Sequence, residues 1–135
     1  MFDERGTELD IAALFEAEPV HGERFSVYVP NRDRNGTLFA QEPWVEEALA
    51  LLSRIGGGAT AMPPVEGAWL NEETSELIRE QPRVVYSYII PDRFLEHRGE
   101  LVGFVKRMGR ETNQGAIAIE FDGVLYYVDK FSEQE

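Results

Sequence analysis

Arg83-Val84-Val85-Tyr86-Ser87-Tyr88-Ile89-Ile90, followed at once by Pro91-Asp92, is the stretch on which the fold turns. Val84, Tyr86, Tyr88 and Ile90 alternate with Val85, Ser87 and Ile89, which predicts a strand with two unlike faces. Pro91 then opens a helix, with Asp92 as its expected cap. Phe94, Leu101, Val105 and Met108 share one stripe of that helix, and Leu95 and Val102 widen it. Gly109 is expected to end it. Gly99 and Gly103 lie inside it, each costing about 1 kcal/mol against Ala, which points to close packing on a sheet or, as the alternative, to a slightly unstable helix. Ala116 to Phe121 alternates again, Asp122-Gly123 is a hairpin turn, and Leu125 to Val128 returns as a short extra strand.

The same reading runs backward from Arg83. Phe25 to Val29 alternates and is bounded by Pro30, predicting the first strand. Asn31 to Gly36 is a charged loop. Glu42 to Ile55 is the clearest helix, with Trp44, Ala48, Leu51, Leu52 and Ile55 at helical spacing, and Gly56-Gly57-Gly58 ends it. A second strand is expected to start at Ala59-Thr60-Ala61-Met62. Pro63-Pro64 interrupts it at an edge or bulge, and Gly67 to Leu70 resumes it. Asn71 to Glu76 is a polar turn. Thr7 to Ala17 reads as a short N-terminal helix capped by Thr7, with Asp10 three residues on, that packs on its own domain or, as the alternative, docks on a partner.

The order is therefore strand, helix, strand, strand, helix, strand, the split-βαβ pattern of ferredoxin-like α+β domains. The expected architecture is a βαββαβ antiparallel sheet with two helices on one face. The organisation is an acidic N-terminal extension over 1–18, one domain over 24–129 and an acidic tail over 130–135.

Composition narrows the chemistry. The 135 residues suffice for one domain with a real core. There is no cysteine, which excludes disulfides, thiol catalysis and thiolate metal sites. No apolar run has the length of a membrane span, and the N-terminus lacks the pattern of a signal peptide. A soluble cytoplasmic protein is expected. The net charge is −12, and residues 1–18 and 129–135 together hold seven of those charges. Broad binding to a phosphate backbone needs a positive patch, so direct nucleic-acid binding is disfavoured.

Two constellations are candidate sites. The first is Glu66-Gly67-x-Trp69 followed by Glu80. Trp69 offers a stacking platform, and Glu66 with Glu80 a carboxylate pair, provided 67–70 and 83–90 are neighbouring strands. The second is the block Arg110-Glu111-Thr112-Asn113-Gln114 between Gly109 and Gly115. Its amides can read an amide, a base edge or a carboxylate, and Arg110 can clamp an anion. The competing reading of each is ordinary structure: a core tryptophan with solvated glutamates, and a turn whose side chains serve the backbone. His21 and His97 have no metal-ligand spacing, no serine has nucleophile context, and Gly56-Gly57-Gly58 follows a helix rather than opening one. No cofactor or metal is expected.

Gly57-Gly58-Ala59-Thr60, Glu66-Gly67-x-Trp69, and Leu77, Glu80, Pro82 and Val84-Val85 resemble the pattern of an uncharacterised family of small bacterial proteins. The matching residues lie within 57–90. The resemblance implies a ferredoxin-like fold and no particular activity.

Three functions follow as expectations. The first is a non-catalytic binding or accessory module that acts through a protein partner or as a homodimer, using a tyrosine-bearing open sheet face, with any ligand near Trp69 and the 110–114 block. The second is a small enzyme using Glu66, Glu80 or Glu111 as base with Arg110 as anion clamp. The third is an acidic inhibitor or antitoxin of a basic partner.

Overall fold

The computed structural model describes residues 2, 4–6, 8–20 and 22–132. Thr7, His21 and the end of the acidic tail, 133–135, lie outside the described residues. The elements are α1 (Ile11–Phe15), β1 (Arg24–Val29), α2 (Glu42–Gly56), β2 (Thr60–Ala61), β3 (Gly67–Asn71), β4 (Glu76–Glu80), β5 (Arg83–Tyr88), α3 (Pro91–Glu111), β6 (Ile117–Phe121) and β7 (Val124–Val128).

Five strands form one antiparallel sheet in the order β2-β5-β1-β6-β7. The central β1 and β5 meet over six residue pairs, Arg24↔Tyr88 to Val29↔Arg83. Two strand–helix–strand crossovers place β1 between β5 and β6, the ferredoxin-like arrangement, with β7 added as the hairpin return of β6. The core lies between one sheet face and the two long helices. Val27, Val29, Val85 and Ile117 from the sheet meet Val45, Leu51, Leu52 and Ile55 of α2 and Leu101, Phe104, Val105 and Met108 of α3. The alternation of Val85, Ser87 and Ile89 thus faces the helices, and Tyr86 and Tyr88 the open side. There the Arg24 guanidinium stacks 3.7 Å over the Tyr86 ring and donates to the buried Ser26 hydroxyl.

Several expectations are corrected. The second strand does not resume after Pro63-Pro64. β3 instead pairs with β4 as a separate hairpin, Gly67↔Glu80 to Asn71↔Glu76. Asn71 Oδ1 accepts from the backbone N–H groups of Glu73 and Thr74 and organises the turn, which hands the ladder to the nearest following segment. The N-terminal helix is only Ile11–Phe15, capped by Asp10, whose Oδ1 accepts from Ala13 N at 3.1 Å. It buries none of its residues. The helix after Ile90 has Ile90 as its cap, with Asp92 in the first turn.

Gly99 and Gly103 do not approach the sheet: a Cβ at either would meet nothing within 4 Å. Leu95 and Val102 share that outward side and are exposed. Close approach occurs instead at Gly56, against Ser87 and Tyr88, and at Gly109, against the Phe131 ring. Gly109 does not end α3, which runs to Glu111. Among the described residues, no helix is long and apolar enough to cross a membrane.

Candidate functional site

The hairpin is held to one end of the sheet by polar side chains. Gln41 Nε2 donates to the carbonyls of Val29 and Gln81, at 2.9 and 3.2 Å. Gln81 N donates to Asn31 Oδ1. The Arg83 guanidinium reaches the Met62 carbonyl and the Glu42 carboxylate. Gln41, Asn31 and Arg83 therefore position the Glu80-Gln81-Pro82 connection. Sequence reading missed them, because single polar residues at element ends carry no periodic signal.

Register decides what the hairpin presents. Gly67↔Glu80 and Trp69↔Ile78 share one face, whereas Ala68↔Arg79 and Leu70↔Leu77 share the other. Trp69 and Glu80 are thus diagonal cross-strand neighbours, within reach of an aromatic and a long side chain. Gly67 leaves room beside Glu80: a Cβ there would lie 3.6 Å from Glu80 Cγ and 3.3 Å from Pro82 Cδ. Glu66 belongs to the opposite face, where it pairs with Arg79 at 2.8 Å. The condition for a Glu66–Glu80 pair, adjacency of 67–70 to β5, is not met, and the two carboxylates are not brought together.

Glu80 differs from the other acids. It is half-buried, and desolvation raises its pKa above the ordinary carboxylate value. Its carboxylate makes no hydrogen bond or ion pair with a described residue, as is also true of exposed acids such as Glu46 and Glu72, whereas Glu42, Glu47, Glu66 and Glu100 pair with arginines. Trp69 beside it is half exposed rather than core.

The 110–114 block is divided between a helix end and a cap. Asn113 N donates to Arg110 O and Gln114 N to Gly109 O, with Asn113 in the left-handed region at φ 50°. Those two bonds around a left-handed residue are a Schellman cap, and Asn113 takes the place usually filled by glycine. Thr112 Oγ1 donates back to Met108 O, and Gln114 Nε2 donates to Arg32 O at 2.8 Å. Arg110 Nη1 donates to Phe131 O at 2.6 Å. Glu111 and Asn113 also line a cleft of about 270 Å³ with Asp33, Phe39 and Trp44. Arg110 instead borders a groove on the outer side of α3.

The predicted site residues therefore fall apart: Trp69 and Glu80 lie on one hairpin face and Glu66 on the other, Glu111 and Asn113 line the cleft, Gln114 is bonded to the Arg32 carbonyl, and Arg110 is on the outer side of α3. Within one chain they do not share a pocket. His97 pairs with Glu100 in α3. Among the described residues no group of three His, Asp or Glu could hold a metal ion.

The fold and this end of the sheet define an α+β domain of ferredoxin-like class carrying a tryptophan–glutamate hairpin. Among solved structures the chain is similar to a phage SAM lyase in complex with S-methyl-5'-thioadenosine, with a TM-score of 0.56 and 15% identity over 84% of this chain and 95% of that one. It is also similar to a phage SAM lyase in the apo state, with a TM-score of 0.53 and 16% identity over 83% of this chain and 92% of that one. At that identity the likeness is one of fold. No protein-family profile matches the chain, and no curated protein matches it.

Proposed function

We propose that this chain is a small enzyme acting on an adenosyl sulfonium of the S-adenosylmethionine type, with Glu80 as the working carboxylate and Trp69 as the platform for the purine ring. The observation that carries the reading is Glu80 itself: half-desolvated, raised in pKa, its carboxylate without a partner among the described residues, and diagonal to an exposed tryptophan. A carboxylate stripped of part of its water and left unpaired is a common mark of a working acid or base. An aromatic face beside it suits a flat ring or a cation. The fold likeness to a SAM lyase, solved with S-methyl-5'-thioadenosine, supports this class of ligand.

A lyase that yields this thioether breaks one S–C bond. The bonding pair stays on sulfur, which loses its positive charge. As that bond breaks, the carbon chain either loses a proton from the neighbouring carbon, forming a double bond, or is attacked at the same carbon by its own carboxylate, forming a lactone. Glu80 serves as the base in the first case and braces the chain's ammonium group in the second.

Incubation of the protein with S-adenosylmethionine, followed by mass spectrometry, is the test. We expect S-methyl-5'-thioadenosine to accumulate. Glu80→Gln should lower kcat by about 10²-fold or more, the usual weight of a general base, while Trp69→Leu should act mainly on KM. No turnover, together with no calorimetric binding of either compound, would refute the proposal.

A second reading is favoured by one observation. Leu70, Leu77, Tyr88 and Tyr127 are exposed apolar side chains on the hairpin and the sheet. They suit an accessory module that docks on a partner through the open sheet face. A pull-down from the native host that yields no stable partner removes this reading.

A further inference from the structure

Of Arg54, Arg79, Arg83 and Arg107, each paired with a glutamate, Arg83 is the most enclosed, with 18% of its side chain exposed. Its Nε donates to the Met62 carbonyl at 2.9 Å, which orients the guanidinium plane. Its Nη1 donates to Glu42 Oε2 at 2.6 Å. The two partners are unlike. Met62 O is backbone and fixed, whereas Glu42, the first residue of α2, is 64% exposed. An oriented guanidinium closed on its solvent side by a mobile carboxylate is built as a carboxylate receptor, with an internal group holding the place.

The receptor belongs to the same end of the sheet as Glu80. Arg83 follows Glu80 by three residues, so their Cα atoms lie at most about 11 Å apart. Gln41, which precedes Glu42, donates to Gln81 O and ties the start of α2 to that connection. The hairpin's other cation is directed elsewhere: Arg79 lies on the face away from Trp69 and Glu80, and pairs with Glu66.

We infer that Arg83 is the specificity-determining residue for the amino-acid end of the ligand, whose α-carboxylate displaces Glu42 from the guanidinium. The inference rests on the enzymatic reading above and names the part of the substrate that reading leaves unassigned. Glu42 regains full hydration when released, so the exchange gives up only a surface ion pair. An enclosed arginine with no anion is costly, so one carboxylate or the other stays on it. Glu42 makes its contact through one oxygen. A ligand held in the same way keeps its second oxygen, which leaves both routes of S–C cleavage open.

Two probes without a sulfonium to cleave make the test: S-adenosylhomocysteine, and the same compound lacking its carboxylate. Calorimetry gives Kd for each, and circular dichroism confirms that each variant folds. Arg83→Gln should weaken S-adenosylhomocysteine about tenfold or more and leave the decarboxylated probe within about twofold. Arg83→Lys should restore part of the loss. Glu42→Gln has the opposite sign: it removes the competing carboxylate, so S-adenosylhomocysteine should bind about threefold tighter or more, with the decarboxylated probe unchanged. That variant lies on the surface and keeps the test open if Arg83→Gln fails to fold. A merely structural ion pair predicts weaker binding of both probes in both variants, and that result overturns the inference. So does Glu42→Gln binding S-adenosylhomocysteine no more tightly than wild type. If the wild-type chain binds neither probe and leaves S-adenosylmethionine intact, the enzymatic reading falls and this inference falls with it. If it cleaves S-adenosylmethionine but binds the two probes equally, this inference alone is overturned.

Discussion

Replacing Gly56 by Ala puts one methyl group where α2 meets β5. The added Cβ would lie inside the contact distance of Ser87 Oγ and 2.6 Å from the backbone oxygen of Tyr88. The Ser87 hydroxyl is fixed in place, since it is buried and donates to Gly58 O. The Tyr88 carbonyl belongs to the strand and cannot rotate away. Overpacking of this kind costs about 1–3 kcal/mol, and the helix-favouring effect of Ala returns at most about 1. With two clashing atoms, one of them a fixed backbone carbonyl, the cost falls in the upper part of that range and the net loss should be about 1–2 kcal/mol. For a chain of this size, with about 2.1 cal/mol/K of unfolding entropy per residue, that lowers Tm by about 4–7 °C. Gly103→Ala is the matched control, because its Cβ meets nothing within 4 Å. It should raise stability by up to about 1 kcal/mol. Adding Ser87→Ala to Gly56→Ala removes one of the two clashes, so the double variant should lose less than the sum of the singles by about 0.5 kcal/mol or more. Thermal melts by circular dichroism, with urea titrations, read all four proteins. A Gly56→Ala melt at or above wild type would refute the packing argument. So would a Gly103→Ala variant that is clearly destabilised, since it would mean that the outer side of α3 is covered.

Two further outcomes follow from the site residues. The raised pKa of Glu80 means that the folded chain holds this proton to higher pH than the unfolded chain, so the carboxyl's favourable contribution is complete below its unfolded pKa and is lost as pH rises through the folded value. Glu80→Gln should therefore gain stability over wild type between about pH 4 and neutrality, by less than about 1 kcal/mol because solvent screens a half-exposed group; urea titrations at both ends of that range check the sign. Asn113→Gly should keep or slightly raise the melting temperature, whereas Asn113→Val should lower stability by about 1–2 kcal/mol, because the left-handed φ of 50° suits Gly and Asn and strains a branched residue; equal melts for the two variants would count against the helix-cap role.

The order of the ferredoxin-like elements was legible because the main strands and the two long helices carry their own periodicity and are cut by Pro30, Gly57 or Pro91, whereas the strand Glu76–Glu80 was not read at all. Local pattern alone also marks Tyr86 and Tyr88 as one face of a strand and Leu51, Leu52 and Ile55 as one face of a helix. What it does not contain is which partner each face meets. β3 has the same alternation whether it extends β2 or folds on β4, and that choice separates Glu66 from Glu80. Glycine gives the same ambiguity. Gly99, Gly103 and Gly109 all lie in one helix, yet only Gly109 touches another segment, because Phe131 returns from the end of the chain to cover it. The stop of α3 is expected at Gly109 and comes after Glu111, since the cap requires a left-handed residue and Asn113 supplies it. The raised proton affinity of Glu80 has a similar origin: it comes from desolvation, which depends on how the hairpin folds back on itself, with Glu80 across the ladder from Gly67, and not on the local pattern around residue 80.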